Sequence, residues 1–168
     1  MSRFFSQALG KQDRSHFNSG NNRIDHYFHQ TVSQDVKRDY AVCYLLVEQS
    51  SGQIAGFYTL SSHSVALTDV AADLARKLPR YPSVPAALIG WLGRDLAYRS
   101  QGIGPLLLAD AITRLTTAPV GIHAICADAI DEDAAAFYCE HQFQALVSRA
   151  NGFFLPMSTA QALFAPQG

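Results

Sequence analysis

Ile24, Tyr27, Phe28, Thr31 and Val32 recur at helical spacing between Asn21 and Gln34. That period predicts an amphipathic helix, and Ser19, Gly20 and Asn21 ahead of it supply capping and turn chemistry. A polar stretch, Gln34 to Asp39, leads into two extended runs, Ala41–Glu48 and Ile54–Leu60, rich in Val, Ile, Leu, Phe and Tyr. Ser50, Ser51 and Gly52 between them predict a hairpin turn. Val70, Leu74 and Leu78 then share one face of a predicted helix over Asp69–Leu78, with Thr68 as its N-cap and Pro79 as its stop. The proline-bearing stretch from Pro79 to Pro85 predicts an extended connector, because proline lacks the donor that a central strand needs.

The second half alternates strand and helix. Ala86–Leu96 reads as a buried strand, Arg99–Gly104 as a glycine-bearing turn and Pro105–Thr116 as a helix whose first turn tolerates Pro105. Val120–Ala127 predicts a strand, Asp131 caps a helix running to about His141, and Phe143–Val147 and Phe153–Met157 predict closing strands. No internal repeat and no long linker interrupts this order, which predicts one mixed α/β domain over residues 1–168.

Composition narrows the class without naming a chemistry. With 168 residues, 48% hydrophobic and 16% charged, the chain can bury a continuous core without disulfides or metals. The net charge of -1 offers no global attraction to nucleic acid, although a basic patch can sit inside a balanced total. Cys43, Cys126 and Cys139 form no CxxC pair and read as small core residues, so no metal is expected. No segment has the apolar length to span a membrane, and a cytoplasmic location is the expectation.

The most informative segment is the loop Arg99-Ser100-Gln101-Gly102-Ile103-Gly104. A strand ends, glycines allow close approach of the backbone, and a helix starts at once. Such a junction aims unpaired N–H groups and the positive end of a helix dipole at one spot, as a pyrophosphate requires. No Gly-Lys-Ser/Thr follows and no third glycine completes GxGxxG, so neither a Walker loop nor a dinucleotide fingerprint is present. A plain tight turn is the alternative reading of the same residues.

This loop matches the Q/R-x-x-G-x-G/A pattern of the GNAT superfamily of acetyltransferases, and Ala134–Phe143 resembles that superfamily's A-x-x-F-Y-x-x-x-G-F helix and turn. A narrower resemblance covers almost the whole chain. Phe17–Asn21, Ile54–Ser61, the connector Leu78–Ala86 and Leu155–Met157 are similar to segments of the TacT- and AtaT-type acetyltransferase toxins of toxin–antitoxin pairs. The resemblance implies the GNAT fold, an α/β (α+β) architecture with a central mixed, mostly antiparallel twisted sheet flanked by helices. It implies acetyl-CoA as cosubstrate and the amino group of aminoacyl-tRNA as acceptor. It further implies a ribbon–helix–helix antitoxin as partner and a homodimer.

The same resemblance places the coenzyme at Leu92, Arg94, Arg99, Ser100, Gln101, Gly102, Ile103 and Gly104, and the catalytic tyrosine at Tyr138. Arg76, Lys77 and Arg80, a basic cluster beside the connector, and Trp91 are the candidate acceptor-binding residues. A solvated helix end is the alternative for the three cations. The chain departs from the toxin pattern at Trp91 and Gln101, where basic residues are usual, and at Gln142, where glycine is usual. A GNAT enzyme acting on a small amine, a peptide or a protein amino group is the second reading.

Acetyl transfer to an amine needs a neutral nucleophile, a polarised thioester carbonyl and a proton for the departing thiolate. A free α-amino group has a pKa of about 7.7–8.0, so much of it is neutral near pH 7 and a strong protein base is optional. A tyrosine hydroxyl can meet the leaving thiolate, whose pKa is about 8.5 if it resembles cysteine. Tyr138 also shares a helical face with Ala134, Phe137 and His141, which a purely structural role would explain equally. Main-chain N–H groups of Leu88–Leu92 are the candidate oxyanion donors. Asp95, His123 and Asp128 are alternative polar candidates, and the two aspartates also suit capping roles at strand ends.

Overall fold

The computed structural model describes residues 2–164. In chain order its elements are β1 (Phe4–Ala8), α1 (Asn22–His26), a π turn (Tyr27–Thr31), α2 (Val32–Lys37), β2 (Val42–Glu48) and β3 (Ile54–Ala66). A 3₁₀ turn (Leu67–Asp69), α3 (Ala72–Ala75), β4 (Ser83–Arg94), a second 3₁₀ turn (Leu96–Tyr98) and α4 (Ile103–Thr116) follow. The chain closes with β5 (Ala124–Asp128), α5 (Glu132–Glu140), β6 (Gln144–Ala145), β7 (Gly152–Pro156) and α6 (Met157–Leu163). The strands form a mixed, mostly antiparallel sheet, the expected class. Residues 1–61 with 90–111 and residues 62–89 with 112–168 make two compact units, and β3 and β4 run through both.

In the first unit the strand order is β1-β2-β3-β4, with β1–β2 and β2–β3 antiparallel. The predicted hairpin forms: Gly52 turns at φ +71° and its N–H donates to the Glu48 carbonyl at 2.8 Å. Asn21 caps α1 as expected, its side-chain oxygen accepting from the N–H groups of Arg23 and Ile24. The single helix expected over Asn21–Gln34 is instead two short helices joined by the π turn. Its apolar stripe still faces inward. Phe28 stacks on Phe57 with centroids 4.1 Å apart, and Phe17 meets both rings edge-on.

Two glycines bring β3, β4, α1 and α4 into close contact. A Cβ on Gly56 would stand 2.9 Å from the Gly93 carbonyl and 2.9 Å from Leu107 of α4. A Cβ on Gly93 would lie 2.8 Å from Ile24 of α1 and 2.9 Å from Phe57. α4 is further tied down by Asp110, whose carboxylate accepts from Ser6 of β1 at 2.7 Å and Tyr58 of β3 at 2.5 Å.

In the second unit the order is β4-β5-β7-β6. β4 and β5 are parallel, from Ala86↔Ala124 to Ile89↔Ala127, and β7 is antiparallel to both β5 and β6. Val65, Val70, Val84, Ala86, Ala124, Cys126, Leu146 and Phe154 form the core, with Leu74 and Leu78 packed against it.

Several expected elements differ. The Asp69–Leu78 helix shrinks to α3, and Thr68 does not cap it. Asp69 turns instead to Ser148, accepting from its backbone N–H and its hydroxyl, so a distant loop takes the group that a local cap would use. β4 starts at Ser83 and includes Pro85, two residues into the strand where the missing donor is tolerated and its carbonyl accepts from His123 N–H. The strand expected over Val120–Ala127 starts only at Ala124, and that over Phe143–Val147 contracts to two residues. β1 and α6 have no counterpart in the sequence reading. Cys43 and Cys126 are core residues as expected, with burial pushing each thiol up to about 12, but Cys139 is exposed on α5. Among the described residues no helix is long and apolar enough to cross a membrane, and no cluster of His, Cys, Asp and Glu has metal-binding geometry.

Candidate functional site

β4 delivers the chain into the predicted phosphate loop. Asp95 ends the strand and spends both carboxylate oxygens locally, accepting from Asn18 N–H at 3.0 Å and Ala97 N–H at 2.8 Å. That capping role accounts for Asp95 without catalysis. The 3₁₀ turn it caps seats Tyr98 inside the first unit, with the hydroxyl on Glu48 at 3.1 Å and the ring edge-on to Phe4. Arg3 pairs with Glu48 at 2.6 Å and donates to the Gln101 side chain at 2.6 Å, tying β1 to the loop. Neither Arg3 nor Tyr98 was marked by any sequence pattern.

The loop turns twice through left-handed backbone, at Ser100 (φ +60°) and Gly102 (φ +74°). A Cβ on Gly102 would meet nothing within 4 Å, so its glycine serves conformation rather than close packing. Intrahelical bonding begins with Leu106 N–H to the Gly102 carbonyl. The N–H groups of Ile103 and Gly104 therefore have no acceptor within the helix, at the positive end of a 14-residue α4. Arg99, Ser100, Gln101 and Gly102 are exposed, whereas the Ile103 side chain is buried and leaves only its backbone for a ligand. Leu92 and Arg94 are half-buried on β4, and the Arg94 Nε is buried without a hydrogen-bond partner. Backbone N–H groups without a helical acceptor and an arginine with an unpartnered Nε are donors of the kind a pyrophosphate takes, and the Asp95 carboxylate that precedes the loop is already engaged.

Trp91 stacks on Tyr27 with centroids 4.3 Å apart, and its backbone N–H donates to Thr59 Oγ1 at 3.0 Å. The parallel pairing of β4 with β5 stops at Ile89, although β4 continues to Arg94.

Tyr138 belongs to the second unit, on α5. Asp131 caps that helix as expected, accepting from Ala134 N–H at 2.8 Å. The Tyr138 ring packs against Phe143 and Phe153, with centroids 5.1 and 5.9 Å away. Only 4% of the residue is exposed, yet its hydroxyl has no hydrogen-bond partner among the described residues. Burial, with a smaller contribution from the Asp128 carboxylate, raises its pKa well above the ordinary tyrosine range. A proton held that firmly suits a donor rather than a base. Asp128 pairs with Arg149 at 2.9 Å, and His123 uses its backbone in the sheet while its side chain is exposed. Arg76, Lys77 and Arg80 are all exposed, in the second unit.

After α5 the chain reverses through Gln142 at φ +67°. This is the position where the GNAT pattern has glycine, and left-handed backbone explains why. A non-glycine residue there costs about 1–2 kcal/mol, against which glycine loses about 0.5–1 kcal/mol of unfolded-state entropy. Gln142→Gly is therefore expected to stabilise the protein by about 0.5–1 kcal/mol in urea unfolding. A lower denaturation midpoint would contradict this account of the turn.

No protein-family model matches the chain. Two relatives do. It is 33% identical over 162 residues to the "Probable toxin TacT" of Sinorhizobium fredii, covering 91% of this chain and 90% of that protein. It is 31% identical over 153 residues to the "tRNA-acetylating toxin" of Mycobacterium tuberculosis, covering 90% of each. The fold matches a tyrosine-to-phenylalanine variant of KacT with a TM-score of 0.87 at 23% identity, over 97% of this chain and all of that one. AtaT in complex with acetyl-methionyl-tRNAfMet matches with a TM-score of 0.85 at 24% identity, over 96% and 99% of the two chains. AtaT has also been solved with acetyl-CoA and with its antitoxin AtaR. On sequence identity over nine-tenths of its length, the chain belongs to the family of GNAT acetyltransferase toxins that includes TacT and the tRNA-acetylating toxin.

Proposed function

We propose that the protein transfers the acetyl group of acetyl-CoA to the α-amino group of an amino acid esterified to tRNA, and so blocks translation. The observation that carries this reading is its family membership, at 33% and 31% identity to toxins of that kind. The exposed loop ahead of α4, with helix-start N–H groups that have no helical acceptor, supports the coenzyme half of the reaction.

In this reading the backbone N–H groups of Gln101–Gly104, with Arg94 and Arg99, hold the pyrophosphate, and Leu92 flanks the pantetheine. Main-chain N–H groups within Leu88–Leu92, other than that of Trp91, which donates to Thr59, hold the thioester oxygen as negative charge develops on it. The neutral amine attacks the carbonyl carbon, a C–N bond forms and the C–S bond breaks. The Tyr138 hydroxyl gives its proton to the departing sulfur, and the proton shed by the new amide nitrogen returns to the tyrosine through solvent.

The acceptor is polyanionic, so cations must line its path although the chain is neutral overall. Arg76, Lys77 and Arg80 are assigned that task, and Trp91 the amino-acid end of the acceptor. An antitoxin of the ribbon–helix–helix class is the proposed partner, and a cytoplasmic homodimer the proposed working form. Acetylation of charged tRNA is expected to weaken steeply as salt rises. Neutralising Arg76, Lys77 and Arg80 together should flatten that dependence, with a slope lower by about 2 to 3 if each meets a phosphate. An unchanged slope would remove these residues from the RNA path.

A further inference from the structure

Gln101 stands between two residues in left-handed backbone, Ser100 at φ +60° and Gly102 at φ +74°. The N–H groups of Ser100, Gln101 and Gly102 make no hydrogen bond among the described residues, and all three residues are exposed. A loop that keeps its donors for a ligand has few bonds of its own, and left-handed backbone is unfavourable for Ser100, which carries a Cβ. The shape therefore needs support from outside the loop.

That support reaches it from the residue ahead of β1. The side-chain oxygen of Gln101 accepts from Arg3 Nη1 at 2.6 Å, and its amide nitrogen lies 3.4 Å from the Ala97 carbonyl. Arg3 is itself held, with Nε and Nη2 on Glu48 Oε2 at 2.7 and 2.6 Å and its guanidinium 4.9 Å from the centre of the Phe4 ring. Glu48 pairs with Phe4 in the sheet, and its other oxygen accepts from the Ser51 hydroxyl at 2.8 Å and the Tyr98 hydroxyl at 3.1 Å. Hydrogen bonds from Ser51 and then Arg3 hold its carboxyl below the ordinary range, so it stays charged at neutral pH. Every member of this chain of contacts lies in the first unit.

The residue type at 101 fits the arrangement. The toxin pattern usually has a basic residue there, and a basic side chain offers no acceptor to a guanidinium, whereas the glutamine oxygen does. Arg3 is poorly placed for the other obvious task, direct capture of a phosphate. All three of its guanidinium nitrogens are engaged, and the Glu48 carboxylate balances its charge.

We propose that Arg3 is a positioning residue for the coenzyme, holding the 100–102 backbone through Gln101 in the shape that receives the pyrophosphate of acetyl-CoA. The proposal rests on the coenzyme-loop reading above and is independent of the acceptor.

The test measures acetyl-CoA binding to the full-length protein by calorimetry, for the wild type, Arg3→Met, Gln101→Met and the double variant. Methionine keeps most of each side chain's length and deletes its hydrogen bonds. Each single substitution is expected to raise Kd roughly 10-fold, the scale of one charge-assisted hydrogen bond. The double variant should bind no more weakly than either single one, because both break the same link. The loss should be equal for acetyl-CoA and for its analogue lacking the 3′-phosphate, and the urea midpoint should move little, since the ion pair removed is partly exposed. Losses that multiply to about 100-fold in the double variant would show Arg3 acting apart from Gln101 and overturn the proposal. A loss confined to the 3′-phosphorylated coenzyme would make Arg3 a direct ligand, again overturning it. Unchanged affinity in Arg3→Met would reduce the contact to packing of the sheet edge. A wild-type protein that binds no acetyl-CoA would overturn the coenzyme reading, and this proposal with it.

Discussion

Replacing Tyr138 by phenylalanine is expected to slow acetyl transfer by roughly 10²–10⁴-fold, the range for losing a positioned general acid. The ring keeps its packing on Phe143 and Phe153, and the lost hydroxyl has no partner among the described residues, so stability should hold. Acetyl-CoA affinity should hold too, because the pyrophosphate contacts proposed at Gln101–Gly104 do not use the tyrosine hydroxyl. The pH dependence follows from the direction of the Tyr138 shift. Burial raises its pKa above 10.0, so the acid stays protonated across the whole working range. The wild-type rate should therefore rise as the acceptor amine deprotonates, with a midpoint of about 7.7–8.0, and should not turn down below pH 10. A Tyr138→Phe enzyme with the wild-type rate would make this tyrosine a core residue and nothing more.

The second large effect is expected at the loop. Gly104→Glu sets a carboxylate at the start of α4, where unpaired N–H groups face the proposed pyrophosphate. Losing charge-assisted hydrogen bonds worth about 1.5–3 kcal/mol, and adding repulsion between like charges, should weaken acetyl-CoA binding by roughly 100-fold or more. Gly102→Ala separates shape from charge. Space is free around a Cβ there, but φ is +74°, so only the backbone penalty of about 1–2 kcal/mol applies. Calorimetry on both variants reads the difference. Unchanged affinity in Gly104→Glu would place the coenzyme elsewhere.

Much of this architecture was legible in the sequence because local chemistry and tertiary demand agree there. Asn21 and Asp131 cap the helices they precede, Gly52 turns the hairpin it sits in, and Pro105 falls in the first turn of α4. The misreadings cluster where distant groups intervene. Asp69 looks like the start of a helix, but Ser148, 79 residues away, claims its carboxylate. β1 is five residues that gain their strand character only from pairing with β2, and their period is too short to signal it. Pro156 and Met157 read as the end of a strand, yet Met157 opens α6 and donates its N–H to the His123 carbonyl.

At the candidate site the loop was legible and its supports were not. Arg3 and Tyr98 act through Glu48 and Gln101, contacts with no sequence period. Gly56 and Gly93 are plain strand glycines until the helices they admit are in view. Trp91 is visible in the sequence only as a departure from a pattern. Its stacked partner Tyr27 lies 64 positions away, in a π turn that helical periodicity cannot reveal.

The most direct measurement of the central claim supplies purified protein with labelled acetyl-CoA and offers three acceptors in parallel: charged tRNA, polyamines and free amino acids. Label is expected on the amino group of the tRNA-borne amino acid, and it should be released with that amino acid when the ester is hydrolysed. Label in the small amines with none on the charged tRNA would contradict the account and leave an acetyltransferase of a different acceptor class.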